Sequence, residues 1–149
     1  MSLKISIKPF SGPRNCSLDI PKGIVVNVLF LIAGSAAGGL SRYYLGGFVQ
    51  RISGSAFPYG TLAVNMTGCL LVGFIASVAG TRFPLSAPIR ILLISGFCGA
   101  FTTFSAFMVE SDFLLRGGHV WATLLNVLLN VVGGFVFFSL GAFLGKMAT

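Results

Sequence analysis

Four apolar stretches, residues 24–45, 59–80, 89–115 and 121–145, dominate the chain and fix what it can become. A helix needs about 20 mostly apolar residues to cross a bilayer, and each stretch is long enough. A backbone in hydrocarbon must satisfy its own hydrogen bonds, so each stretch is read as a helix. Composition agrees: 55% of residues are hydrophobic, 9% are charged and the mean hydropathy is +0.94. So few charges cannot solvate the surface of a soluble domain, and so many apolar residues exclude disorder. The expected architecture is an all-α integral membrane protein with four transmembrane helices, preceded by a basic tail over 1–22.

The net charge of +7 would point to nucleic acid in a soluble protein. Here Lys4, Lys8, Arg14 and Lys22 precede the first span, and the remaining basic residues lie mostly at predicted helix ends. Anchoring at lipid headgroups accounts for that distribution, and no nucleic-acid partner is expected. The tail is read as a mobile arm or a short surface helix. Its succession by IVVNVLFLIAGSAA also resembles a signal peptide, although the apolar run continues past the small-residue site. Cys16, Cys69 and Cys98 are widely spaced, and His119 is the only histidine, so no zinc, haem, iron–sulfur or disulfide framework is expected.

Four crossings place both termini on one side. That side holds Lys4, Lys8, Arg14, Lys22, Arg82, Arg90 and Lys146; the other holds Arg51 and Arg116, with Arg42 near a helix end. The full count favours termini inside, and without the tail it specifies no orientation.

Polar groups within a span require a partner or a role. In span one, Gly34 and Gly38 form a GxxxG pattern suited to close helix approach. Asn65 and Gly68 lie one turn apart in span two. Asn126, Asn130 and Gly134 are spaced by four, hence on one face of span four. Span three is interrupted by Gly96-Phe97-Cys98-Gly99-Ala100-Phe101-Thr102-Thr103, and a glycine followed by two threonines can free backbone carbonyls to act as cation ligands. A packing kink is the plainer alternative. Phe104 and Phe107 share a face of the helix that follows, and aromatic ring edges are electropositive. Asn65, Thr103, Ser105 and Asn130 add hydrogen-bond donors without fixed negative charge, a combination that suits an anion. Arg42 and Glu110 are expected near the same membrane face, where they either pair or leave Arg42 to attract anions. Glu110 is the one acidic residue expected inside a helix. Spans one, two and four hold none, which argues against a small proton-coupled exporter, and no protease constellation lies within the bilayer. No enzyme is expected.

The segments Gly39-Leu40-Ser41-Arg42-Tyr43, Pro58-Tyr59-Gly60-Thr61-Leu62-Ala63-Val64-Asn65, Gly96 to Phe107 with Glu110, and Trp121 to Asn130 occur in one order over roughly 30–145. In these motifs the chain resembles the Fluc/CrcB fluoride channels. The resemblance implies a third helix broken at mid-membrane, an antiparallel, dual-topology dimer in the cell membrane, and passive fluoride efflux through two pores. It implies a fluoride pathway of Asn65, Thr103, Phe104, Ser105, Phe107, Asn126 and Asn130, with Arg42 and Glu110 as vestibule charges. It also implies a structural Na⁺ at the dimer interface, held by the carbonyls of Gly99 and Thr102. Ala100 stands where the family often has glycine, Ala106 stands where it often has threonine, and the basic tail lies outside the family core. A tail that biases insertion suits a homodimer poorly, so a heterodimer with an oppositely oriented paralogue is the alternative. A proton-coupled anion transporter working through Glu110 and a non-conducting membrane subunit are the rival functions.

Overall fold

The computed structural model describes residues 22–80 and 85–148. The expectations for the 1–21 tail and for residues 81–84 of the second loop lie outside the described residues. All regular structure among the described residues is helical: α1 (Lys22–Ser53), α2 (Tyr59–Gly80), α3 (87–101), α4 (Phe104–Arg116) and α5 (Val120–Met147). With α3 and α4 forming one span, Ala87–Arg116, four helical spans are long and apolar enough to cross a membrane. The second span has the expected bounds, and the third and fourth each run slightly past theirs.

The first expected boundary is wrong. Residues 46–53, which fall between the expected first and second spans, continue α1 to Ser53. The glycine that proximity requires is on the opposite helix: a Cβ on Gly60 of α2 would strike the Gly46 carbonyl. Gln50 then ties off the connection. Its Nε2 donates to the carbonyls of Ser55 (2.7 Å) and Phe57 (3.1 Å), and its Oε1 accepts from the Gly60 amide at 3.0 Å. Gly54, with φ +58°, makes the turn in the left-handed region that other residues avoid.

Helix packing relies on missing side chains. A Cβ on Gly34 or Gly38 would strike the carbonyls of Leu92 and Phe97, so α1 and α3 meet backbone to backbone. A Cβ on Gly73 would strike the Phe138 carbonyl, and one on Gly141 the Leu70 carbonyl, so α2 and α5 cross reciprocally. Lipid supplies no hydrophobic force between helices, which is why small residues and dispersion carry these contacts. Ile91–Cys98 in α3 and Leu129–Gly133 in α5 wind as π-helix, a widened form that recurs near functional sites. Halfway along the third span the helix stops. Thr102 (φ −78°, ψ 159°) and Thr103 (φ −147°, ψ 115°) are extended, whereas Gly96 and Gly99 stay helical.

Candidate functional site

Helices α2, α4 and α5 converge on the two extended threonines. Gly68 makes room for Thr102, because a Cβ there would strike its Cγ2. One turn earlier Asn65 grips the backbone of the next residue: its Oδ1 accepts from the Thr103 amide at 2.8 Å, and its Nδ2 donates to the Thr103 carbonyl at 3.1 Å. The Thr103 amide, which a continuous helix would direct to the Gly99 carbonyl, is thereby withdrawn from it. Thr103 also starts α4, its Oγ1 accepting from the Ala106 amide at 3.2 Å as an N-cap.

From Asn65 a chain of uncharged groups runs on. Asn65 Nδ2 donates to Asn130 Oδ1 at 2.8 Å, and Asn130 Nδ2 donates to the Asn126 carbonyl and Oδ1, both at 3.0 Å. Asn126 Nδ2 donates to Ser111 Oγ at 2.9 Å, which donates to the Phe107 carbonyl at 2.7 Å. Both N–H groups of Asn65 and of Asn130 are therefore engaged within the protein. Phe104 and Phe107 flank this chain with ring centroids 5.5 Å apart and planes at 59°. Phe107 is buried, whereas Phe104 is 72% exposed on the single chain. A cavity of about 350 Å³ opens beside them, lined by Asn65, Cys98, Thr103, Phe104, Phe107 and Asn130 among others.

A second cavity, of about 640 Å³, adjoins Thr103 and Ser105 and is lined by Arg42, Gln50, Thr61 and Glu110. Ser105 Oγ lies 3.4 Å from Thr103 Oγ1. Thr61 Oγ1 donates to Glu110 Oε1 at 2.6 Å. The expected alternative of an Arg42–Glu110 pair is not formed. Arg42 Nη1 instead donates to the Thr102 carbonyl at 3.4 Å, because the helix break exposes that oxygen to it. Glu110 is also not the one acid inside a helix: Asp112 lies in α4 and pairs with Arg116 at 2.7 Å, an exposed i,i+4 contact at the helix end.

Residues 29–142 match the family described as CrcB-like protein, Camphor Resistance (CrcB). The chain belongs to the CrcB family. It is 41% identical over 119 residues to the fluoride-specific ion channel FluC of Desulforapulum autotrophicum, covering 80% of this chain and 95% of that one. It is 41% identical over 120 residues to the protein of the same name from Chlorobium phaeobacteroides, with 80% and 93% covered. Identity reaches 48% over 94 residues with the Rhizobium etli FluC, with 62% and 75% covered. With its four spans, this CrcB chain is a multi-pass membrane protein.

Of the site residues expected from sequence, Asn65, Thr103, Phe104, Phe107, Asn126 and Asn130 come together around one hydrogen-bonded chain. Ser105, Arg42 and Glu110 line the adjoining cavity. Gly99 and Thr102 lie on the α3 side of the break. Two residues escaped the sequence reading. Ser111, four residues after Phe107, joins Asn126 to α4, and Thr61, four residues before Asn65, holds Glu110.

Proposed function

We propose that this CrcB protein is a fluoride-selective channel that lowers cytoplasmic fluoride by passive efflux across the cell membrane. The observation carrying this reading is the chain of uncharged donors from Asn65 through Asn130 and Asn126 to Ser111, set beside Phe104 and Phe107. The relatives' names, fluoride-specific ion channel, supply the ion.

Fluoride is small and strongly hydrated, so a path must replace its water with donors. A filter must also release the ion, which demands shallow binding. The amides of Asn65 and Asn130 meet both needs because they are already bonded to internal acceptors. An arriving anion takes a donor from a carbonyl, and the donor returns to that carbonyl when the ion leaves. Each exchange replaces one hydrogen bond with another, so no step leaves a buried donor bare. The edges of Phe104 and Phe107 add weak positive potential without a fixed cation that would trap the ion. Arg42, in the wider cavity, raises the local anion concentration at one mouth.

In this proposal the span is broken at mid-membrane, and two chains pair antiparallel around the break to form two pores. The exposed ring of Phe104 favours a covering second copy. Homodimerisation is the first reading and an oppositely oriented paralogue the alternative, with lipid covering the remaining apolar surface. Na⁺ would sit between the two breaks. The donor set fits: the Gly99 carbonyl has lost its usual partner, the Thr102 carbonyl at the negative pole of the α3 dipole keeps one lone pair beside its long bond from Arg42, and hard cations prefer oxygen. Two carbonyls from one chain are few for such an ion, so both chains would contribute. Bound there, Na⁺ would supply fixed positive potential near the path.

Fluoride efflux from liposomes tests the reading, with valinomycin and K⁺ setting the voltage and chloride as control. Rapid fluoride release without chloride release, unaffected by a proton gradient, is expected. Release that needs an opposing proton gradient would replace the channel with an exchanger working through Glu110. No release, alone or beside a paralogue, would leave a non-conducting subunit.

A further inference from the structure

Helix α1 carries Gly34, Gly38, Arg42, Gly46 and Gln50 at four-residue spacing, a face that winds round the helix by about 40° per step. The neighbour of that face changes along its length. Gly34 and Gly38 lie against the α3 backbone, whereas Gly46 and Gln50 lie against Gly60 of α2. Arg42 stands at the changeover, beside the break between α3 and α4. It is half-buried and, among the described residues, no carboxylate pairs with it. Its hydrogen bond goes to the carbonyl of Thr102, the residue whose extended conformation ends α3. The next residue, Thr103, gives both backbone groups to Asn65 and caps α4.

We infer that Arg42 is a positioning residue: its guanidinium braces the helix break by holding the Thr102 carbonyl, and so sets where Thr103, Asn65 and Phe104 stand. The role differs from attracting anions, which needs only a charge in the cavity. It rests on the fluoride reading for its effect on transport, but not for its effect on the break itself. The physics favours a cation there, because the carbonyls at a helix C-terminus lack amide partners and carry the negative end of the dipole. The close approach at Gly38, one turn earlier, brings the α1 backbone near enough for Nη1 to arrive.

Lysine separates the two roles. Its ammonium keeps the charge over the cavity but ends one bond short of Nη1, and the existing contact is already long at 3.4 Å. The test compares wild type, Arg42→Lys and Arg42→Gln as full-length protein in lipid. Amide hydrogen exchange over residues 99–106 reads the break directly, and fluoride and chloride efflux at low and high ionic strength reads the path. Losing a charge-assisted bond is expected to speed exchange over 99–106 about tenfold in both variants, leaving 120–128 unchanged. Both variants are also expected to release chloride, at either ionic strength. Wild-type protection over 99–106 in Arg42→Lys would overturn the brace. So would a transport defect confined to Arg42→Gln that disappears near 1 M salt, where the Debye length is about 3 Å. Should the wild type release no fluoride, the channel reading fails while the exchange comparison still decides the brace.

Discussion

Asn126 is 1% exposed, as deeply buried as Val64, and its amide survives there because Ser111 and Asn130 answer it. Single hydrogen bonds between membrane helices contribute modestly, about 0.6 kcal/mol on average. Stranding a buried donor or acceptor costs more, about 1–3 kcal/mol. Ser111→Ala takes the acceptor from Asn126 Nδ2 and leaves that buried donor bare, so it is expected to lower stability by about 1–3 kcal/mol. Asn126→Leu leaves Ser111 Oγ on the Phe107 carbonyl and Asn130 Nδ2 on the carbonyl of residue 126, so it is expected to cost less, about 0.6 kcal/mol for each bond lost. Thermal unfolding of the two variants in one detergent checks the order, and equal losses would show that the chain is not energetically connected. Much of this site is legible in the sequence, because asparagines four apart in an apolar helix have few reasons to be there. Ser111 and Thr61 are not, since a lone hydroxyl in a span also bonds its own helix backbone, as Thr67 does to Ala63. The readable clue is register: each stands four residues from a residue already singled out.

At the scale of elements, the four spans follow from apolar length, while the end of α1 does not. Gly46-Gly47 reads as a breaker when propensity is considered alone. Only the position of Gly60 opposite reveals a helix crossing, and that is a tertiary fact. Gln50 is likewise unremarkable in sequence, yet three of its hydrogen bonds secure the turn into α2. Gln50→Ala is expected to leave the helices intact and to expose residues 54–58, with faster proteolysis there than in wild type; unchanged cleavage would refute the clamp. The α2–α5 crossing is less forgiving. A methyl group at Gly141 has only the Leu70 carbonyl and the backbone near Phe74 to meet, so the helices must separate. Overpacking of this kind typically costs about 1–3 kcal/mol, which sets the expected loss for Gly141→Ala in a detergent unfolding series. A neutral substitution would mean that the helices are not seated as closely as the structure shows.

For the molecule as a whole, the structure ties helix ends to membrane faces. The Thr61–Glu110 bond joins the start of α2 to the middle of α4, so Arg51 and Arg116, at the last turns of α1 and α4, lie towards one face, with Arg42 deeper beside the break. Gly145 lies against Ser77, which places Lys146 at the opposite face with the start of α1. The described residues alone therefore carry nearly balanced Lys and Arg, and only the tail tips the balance. Basic residues act on insertion mainly within about 15–20 residues of a span. By that measure Lys22 and Arg14 weigh most, and Lys4 and Lys8 sit near the limit of influence. The proposed antiparallel homodimer needs both orientations from this one sequence. Replacing Lys4, Lys8, Arg14 and Lys22 by glutamine is therefore expected to move a population biased towards termini inside to an even one. A reporter fused after residue 149, active on one membrane face only, measures the shift. A wild-type population in a single orientation would rule out the homodimer and require an oppositely inserted partner. A mixed wild-type population would mean that four tail charges are too weak, or too far from the span, to settle what the helices leave undecided.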